Sequence, residues 1–94
     1  MPVPRKFQPY LWSVNIKNLD QEKDKAYIIH QLLHYGDLNA FKWLKKTYTL
    51  KQVKELFVKY PKKMYSARSF HFVSQYLLHF SDQSIDSKKY VQNI

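Results

Sequence analysis

Glycine occurs once in this chain of 94 residues, at position 36. No run of alternating apolar residues is long enough to make a convincing sheet. A chain with one glycine and no strong strand signal has little room for any class but all-α. The glycine opens the most informative stretch, residues 35–53. That stretch reads as a helix end, a short helix, a tight turn and the start of another helix. It holds one of the two tryptophans and a dense set of lysines.

Four main helices are expected, at about 20–35, 38–47, 50–60 and 67–80. Asp20 or its neighbour caps the first, with Asp20, Glu22 and Asp24 where the helix dipole favours negative charge. Ala26, Ile29, Leu32 and Leu33 form its apolar stripe, widened by Tyr27, Ile28 and Tyr35. Gly36 is expected to stop it in a left-handed conformation. Asp37 caps the second helix. Its inner set is Ala40, Phe41, Trp43, Leu44 and Tyr48. Thr49 and Gln52 have capping-box spacing and open the third helix. Leu50, Val53, Leu56, Phe57 and Tyr60 face inward, and Pro61 ends it. Ser66 caps the fourth, with Phe70, Val73, Tyr76, Leu77 and Phe80 inward, broadened by Phe72 and Leu78.

Residues 1–19 carry three prolines and no helical period. They read as an irregular arm whose Trp12 packs onto the helices, or which threads into a partner. Val14 and Ile16 allow a short extended piece. Residues 81–94 read as a polar tail, with room for a short helix at 86–92. The whole is one compact helical bundle in a single domain.

The formal net charge of +9 is unevenly placed. Residues 1–36 carry five basic and three acidic side chains, and residues 69–94 two of each. Residues 37–68 carry nine basic residues against Asp37 and Glu55, a local excess of +7. Such a field suits a nucleic acid or an acidic protein surface. Lysine supplies 14 of the 16 basic residues, so a merely solubilising face is the plainer alternative.

No catalytic set is visible. One glycine cannot build a phosphate loop, and the seven carboxylates are scattered. Cysteine is absent, which excludes disulfides and thiolate metal sites. His30 and His34 have the spacing of a metal pair, but Gln31 follows His30 where a hydrolytic zinc helix needs glutamate. No third ligand is evident, so surface or edge histidines are expected and no metal or other cofactor. With no signal peptide and no apolar run of membrane length, the expectation is a soluble cytoplasmic protein that does not engage a membrane and is not an enzyme.

The candidate binding surface is therefore the basic middle: Lys42, Lys45, Lys46, Lys51, Lys54, Lys59, Lys62, Lys63 and Arg68. Helices 38–47 and 50–60 have helix-turn-helix length, which would bring Lys51, Gln52 and Lys54 to a DNA groove. Against this, arginine is scarce and the turn lacks glycine. Phosphate contact to DNA or RNA without sequence preference needs only the lysines. Trp12 and Trp43 are candidate anchors for a protein partner.

Asp20-x-x-Lys23-Asp24, Ile28-Ile29, Tyr35-Gly36, Trp43-Leu44, Tyr48, Val53, Tyr65-Ser66 and Phe72 follow a shared order and spacing. The pattern, over about residues 7–80, resembles a small uncharacterised helical domain family of bacteria and archaea, DUF6922. Leu11-Trp12 stands where that family has Phe-Trp, Ala67 where it has proline, and Val73 where it has tryptophan. Genes of this family are associated with nucleotidyltransferase toxins of the abortive-infection type. The resemblance thus implies an antitoxin-like role, in which the chain binds and neutralises a cognate nucleotidyltransferase toxin. A small basic nucleic-acid-binding regulator is the alternative.

Overall fold

Six consecutive residues, Ile28 to Leu33, are buried. An amphipathic surface helix buries one stripe; burial all round means neighbours on every side. In the computed structural model, which describes residues 3–12, 14–80 and 85–92, helix α1 (Lys25–Tyr35) is that enclosed element. The N-terminal segment, helix α2 (Leu38–Lys59), the segment containing helix α3 (Ala67–His71) and Tyr90 supply the rest of the core. The described residues are helices, turns and irregular links, with one isolated parallel bridge between Tyr65 and Val91. The fold is all-α, as the glycine count and periodicity indicate.

Residues 21–24 form turns, so α1 starts later than the sequence suggests. Asp20 instead closes this turn, its carboxylate accepting from the Glu22 and Lys23 amides at 2.8 and 3.0 Å. These bonds to the charged form hold its pKa below the usual carboxylate value. Gly36 does end α1, but not in a left-handed conformation: its φ is −76°. Close approach explains the residue. A Cβ there would strike the Leu32 carbonyl oxygen and lie 2.7 Å from the Ala40 Cβ. Glycine lets α2 start directly against the end of α1.

Helix α2 has two arms, 38–48 and 50–59, joined at Thr49 with φ 66° and ψ 153°. Asp37 caps the first arm through the Ala40 amide at 2.9 Å. Thr49 caps the second through the Gln52 amide at 3.3 Å. The second arm ends against Pro61, which has no amide to bond the Phe57 carbonyl. The Tyr90 hydroxyl donates to that carbonyl instead, at 2.7 Å. The Tyr60 carbonyl is met by His30 Nε2 at 2.7 Å. Two distant side chains thus complete a helix terminus.

Ser66 caps α3 through the Ser69 amide, as expected. The helix then widens into a π-helical segment, Phe72–Leu77, closed by Leu78 N–H to the Val73 carbonyl at 2.9 Å. Each such turn holds an extra residue, so Val73, Ser74 and Leu78 go inward. Phe72 and Tyr76, expected in the core, are 49% and 65% exposed. Tyr60, also expected inside, is half exposed.

Among the described residues, 3–12, 14–19 and 85–92 are better tied than expected. A 3-10 helix, Arg5–Tyr10, buries Phe7, and Val3, Leu11 and Ile16 are buried with it. The Gln8 amide donates to the Leu11 and Val14 carbonyls and accepts from the Ile16 amide. Ile16–Asn18 is a 3-10 turn rather than an extended piece. Trp12 does not anchor this arm in the core; it is 65% exposed. Within residues 85–92, Tyr90 is buried and stacks on Phe57 with ring centroids 4.5 Å apart. A short 3-10 helix, Ser87–Lys89, precedes it. The other positions assigned to the tail, 81–84, 93 and 94, lie outside the described residues. Among the described residues, no helix is long and apolar enough to cross a membrane.

Candidate partner-binding face

On the first arm of α2, Ala40, Leu44 and Tyr48 are buried at intervals of four. Lys42, Lys45 and Lys46 are exposed on the same arm. Periodicity alone explains this division, and it matches the sequence reading. The Lys45 ammonium lies over the Phe41 ring, 5.2 Å from its centroid. On the second arm Val53, Leu56 and Phe57 are buried, while Lys51 and Lys59 are exposed. Lys54 is half-buried, its ammonium 4.9 Å above the Phe80 ring. Lys59 sits over Tyr60.

The remaining cations belong to other neighbourhoods. Lys62 is half-buried over Tyr27, at the start of α1. Lys63 is exposed in the following loop, and Arg68 is exposed on α3. The nine candidates therefore divide into six on α2 and three outliers, Lys62 over Tyr27, Lys63 in the loop and Arg68 on α3. Among the described residues, the one ion pair joins Lys25 to Glu22, at 3.8 Å. Among the described residues, none of the nine is neutralised by such a contact. Asp37, the nearest acid in sequence to Lys42, has its carboxylate engaged at the helix cap.

The break in α2 is a single residue, Thr49. A helix-turn-helix uses a turn of about three or four. The two arms therefore do not reproduce the spacing on which that motif depends.

The two tryptophans part company. Trp43 is half-buried, edge-on to Phe7 at 5.6 Å and to Tyr48 at 6.1 Å, and so bolts the N-terminal segment to α2. Trp12 touches Tyr35 edge-on at 6.2 Å and leaves most of its surface open. Trp12 is thus available to a partner, and Trp43 is largely committed to the fold.

The histidines also separate. His30 is wholly buried, contrary to the expectation of a surface residue. Its Nε2 faces the Tyr60 carbonyl, which only accepts, so Nε2 carries the proton. Nδ1 then accepts from the Tyr65 hydroxyl, at 2.7 Å. Burial lowers the His30 pKa to about 4, the Tyr60 bond opposing and the Lys62 charge assisting. Tyr65 is pushed well above its ordinary value by burial. His34 lies 2.7 Å from the Ser69 hydroxyl and is also lowered by burial. The two rings have separate partners, and among the described residues no three His, Cys, Asp or Glu side chains gather as a metal site.

Sequence reasoning missed the exposed apolar residues. Tyr35, Leu38, Phe72 and Tyr76 are all at least 44% exposed. Hydrophobicity places Tyr35, Phe72 and Tyr76 on the inner stripes, and leaves Leu38 on neither side.

The model of a family of unknown function (DUF6922) matches residues 7–57. The chain belongs to this family. The DUF6922 segment spans the N-terminal 3-10 helix from Phe7, α1, and α2 as far as Phe57. It therefore contains Lys42, Lys45, Lys46, Lys51 and Lys54, together with both tryptophans. Tyr65-Ser66 and Phe72, part of the wider resemblance, lie beyond it. No curated protein and no solved structure matches the chain.

Proposed function

We propose that this chain is an antitoxin-like binding protein that neutralises a cognate nucleotidyltransferase-type toxin. The observation that carries the reading is the outer face of α2, where Lys42, Lys45 and Lys46 stand exposed and free of ion pairs among the described residues. A nucleotidyltransferase cleft is lined with metal-binding carboxylates and takes a polyanionic substrate. A basic surface complements such a cleft and speeds encounter with it. The family resemblance supports this partner class. No catalytic role is assigned to the chain.

The test is co-expression with a nucleotidyltransferase toxin of the abortive-infection type, followed by co-purification and a toxin activity assay. Stoichiometric binding and loss of toxin activity are expected. Reversing Lys42, Lys45 and Lys46 to glutamate is expected to weaken binding at least tenfold. Absence of binding at micromolar concentration rejects the reading. A regulator that contacts phosphates through the same lysines is the second possibility. It would show as duplex DNA or RNA binding that falls steeply with salt and disappears in the same triple variant.

A further inference from the structure

Apart from the lysines, the most unusual surface lies where α1 ends and α2 begins. Leu38, Phe72 and Tyr76 are 64%, 49% and 65% exposed. Leu38 and Phe72 edge a groove of about 360 Å³ with Leu33, Phe41 and Leu77 along its walls. Phe72 stacks on Tyr76 at 5.9 Å, which extends the apolar rim beyond the groove. His34 also lines the groove. Its ring meets Tyr35 at 4.3 Å, and Tyr35 in turn meets Trp12. A chain of direct ring contacts thus carries the patch from the groove to the exposed tryptophan. Single exposed apolar residues need no explanation, but a connected set rich in Trp, Tyr and Phe has the composition of a protein-binding hot spot.

The charge around the groove selects the occupant. The Lys45 ammonium sits on the ring of Phe41, one of the wall residues. Arg68 is exposed on α3, next in sequence to Ser69, which lines the groove. The acidic lining residue, Asp37, keeps its negative charge but sits at the α2 N-terminus, where its carboxylate accepts from the Ala40 amide and the helix dipole offsets part of that charge. A second copy would bring another +9 against these cations. Phosphates would meet a largely apolar wall.

We infer that this groove docks an acidic amphipathic helix of a partner protein, its apolar face on Leu38, Phe41 and Phe72 and its carboxylates toward Lys45 and Arg68. This is helix-in-groove recognition with a complementary basic rim. It rests on the reading above only in taking the occupant to be a protein.

The experiment uses the full chain and a fluorescein-labelled synthetic peptide, with leucines in an i, i+3, i+4, i+7 pattern and glutamates elsewhere. Anisotropy is expected to show binding, at least tenfold weaker for a scrambled peptide and for one with lysines in place of the glutamates. Phe72→Glu and Leu38→Glu are each expected to weaken binding at least tenfold with unchanged circular dichroism. Val58→Glu, at an exposed apolar site on the second arm, is expected to change nothing. Wild-type affinity in both groove variants overturns the inference, as does equal binding of the scrambled peptide. Displacement of the peptide by duplex RNA, or a dimer in sedimentation that Phe72→Glu dissolves, overturns it too. If the toxin assay fails while peptide binding stands, the antitoxin reading falls alone. If Phe72→Glu still binds the toxin and the lysine triple variant does not, the groove inference falls alone.

Discussion

At the scale of single residues, Gly36 and His30 show how differently two tightly packed positions are constrained. Gly36 was legible as a helix stop, but its physical reason was not. The Leu32 carbonyl and the Ala40 Cβ leave no room for a side chain, which only the crossing of two helices could reveal. Gly36→Ala is expected to cost about 2 kcal/mol through overpacking, read from urea unfolding. His30 was legible as one of a pair four apart; its burial was not, since nothing local says that α1 is enclosed. Its neutral ring holds two hydrogen bonds in the fold. The folded pKa is about 4 against an ordinary 6.5, so the unfolded chain takes up the proton first as pH falls. The stability that depends on a neutral His30 is fully present above about pH 6.5 and is lost progressively down to about pH 4. The loss amounts to about 3 kcal/mol. His30→Gln, which can keep both bonds without titrating, is expected to flatten that part of the profile in urea unfolding series between pH 7 and pH 4.

At the scale of elements, the caps after α1 were the readable part. Asp37, Thr49 and Ser66 each accept the amide bond expected of a cap, because capping depends on the next three residues alone. The break at Thr49 has a cost that the sequence hides. A β-branched residue at φ 66° and ψ 153° occupies a region that suits glycine, with strain of about 1–3 kcal/mol. Thr49→Gly loses a weak cap and some backbone entropy, yet is expected to raise stability by about 1 kcal/mol, measured as a higher denaturation midpoint. At the far end of α2, the missing Pro61 amide explains the role of Tyr90. Tyr90→Phe keeps the stack on Phe57 but leaves that carbonyl without its donor. The expected loss is about 1–2 kcal/mol, seen in the same unfolding assay.

At the scale of the whole molecule, the charge excess and the core are nearly independent. The α2 lysines project from a helix whose opposite face holds the core, so Lys45→Glu with Lys46→Glu is expected to change stability by less than about 0.5 kcal/mol. Circular dichroism melts check this while partner binding is lost. Each reversal removes two charges, so the pair takes the formal net charge from +9 to +5. The helical class, the caps, the membership of most core positions and the basic bias of residues 37–68 all follow from local order along the chain. They rest on hydrogen bonds and periodicities that span three or four residues. Which apolar side chains stay outside does not follow from that order. The π turn sends Tyr76 and Phe72 outward and Ser74 inward. The Phe57 ring and carbonyl draw Tyr90 into the core. The glycine at 36, read at first as a stop signal, became the point where two helices touch and beside which an apolar groove opens. Burial depends on which segments arrive from afar, so only tertiary packing could turn a basic, aromatic-rich sequence into a particular surface.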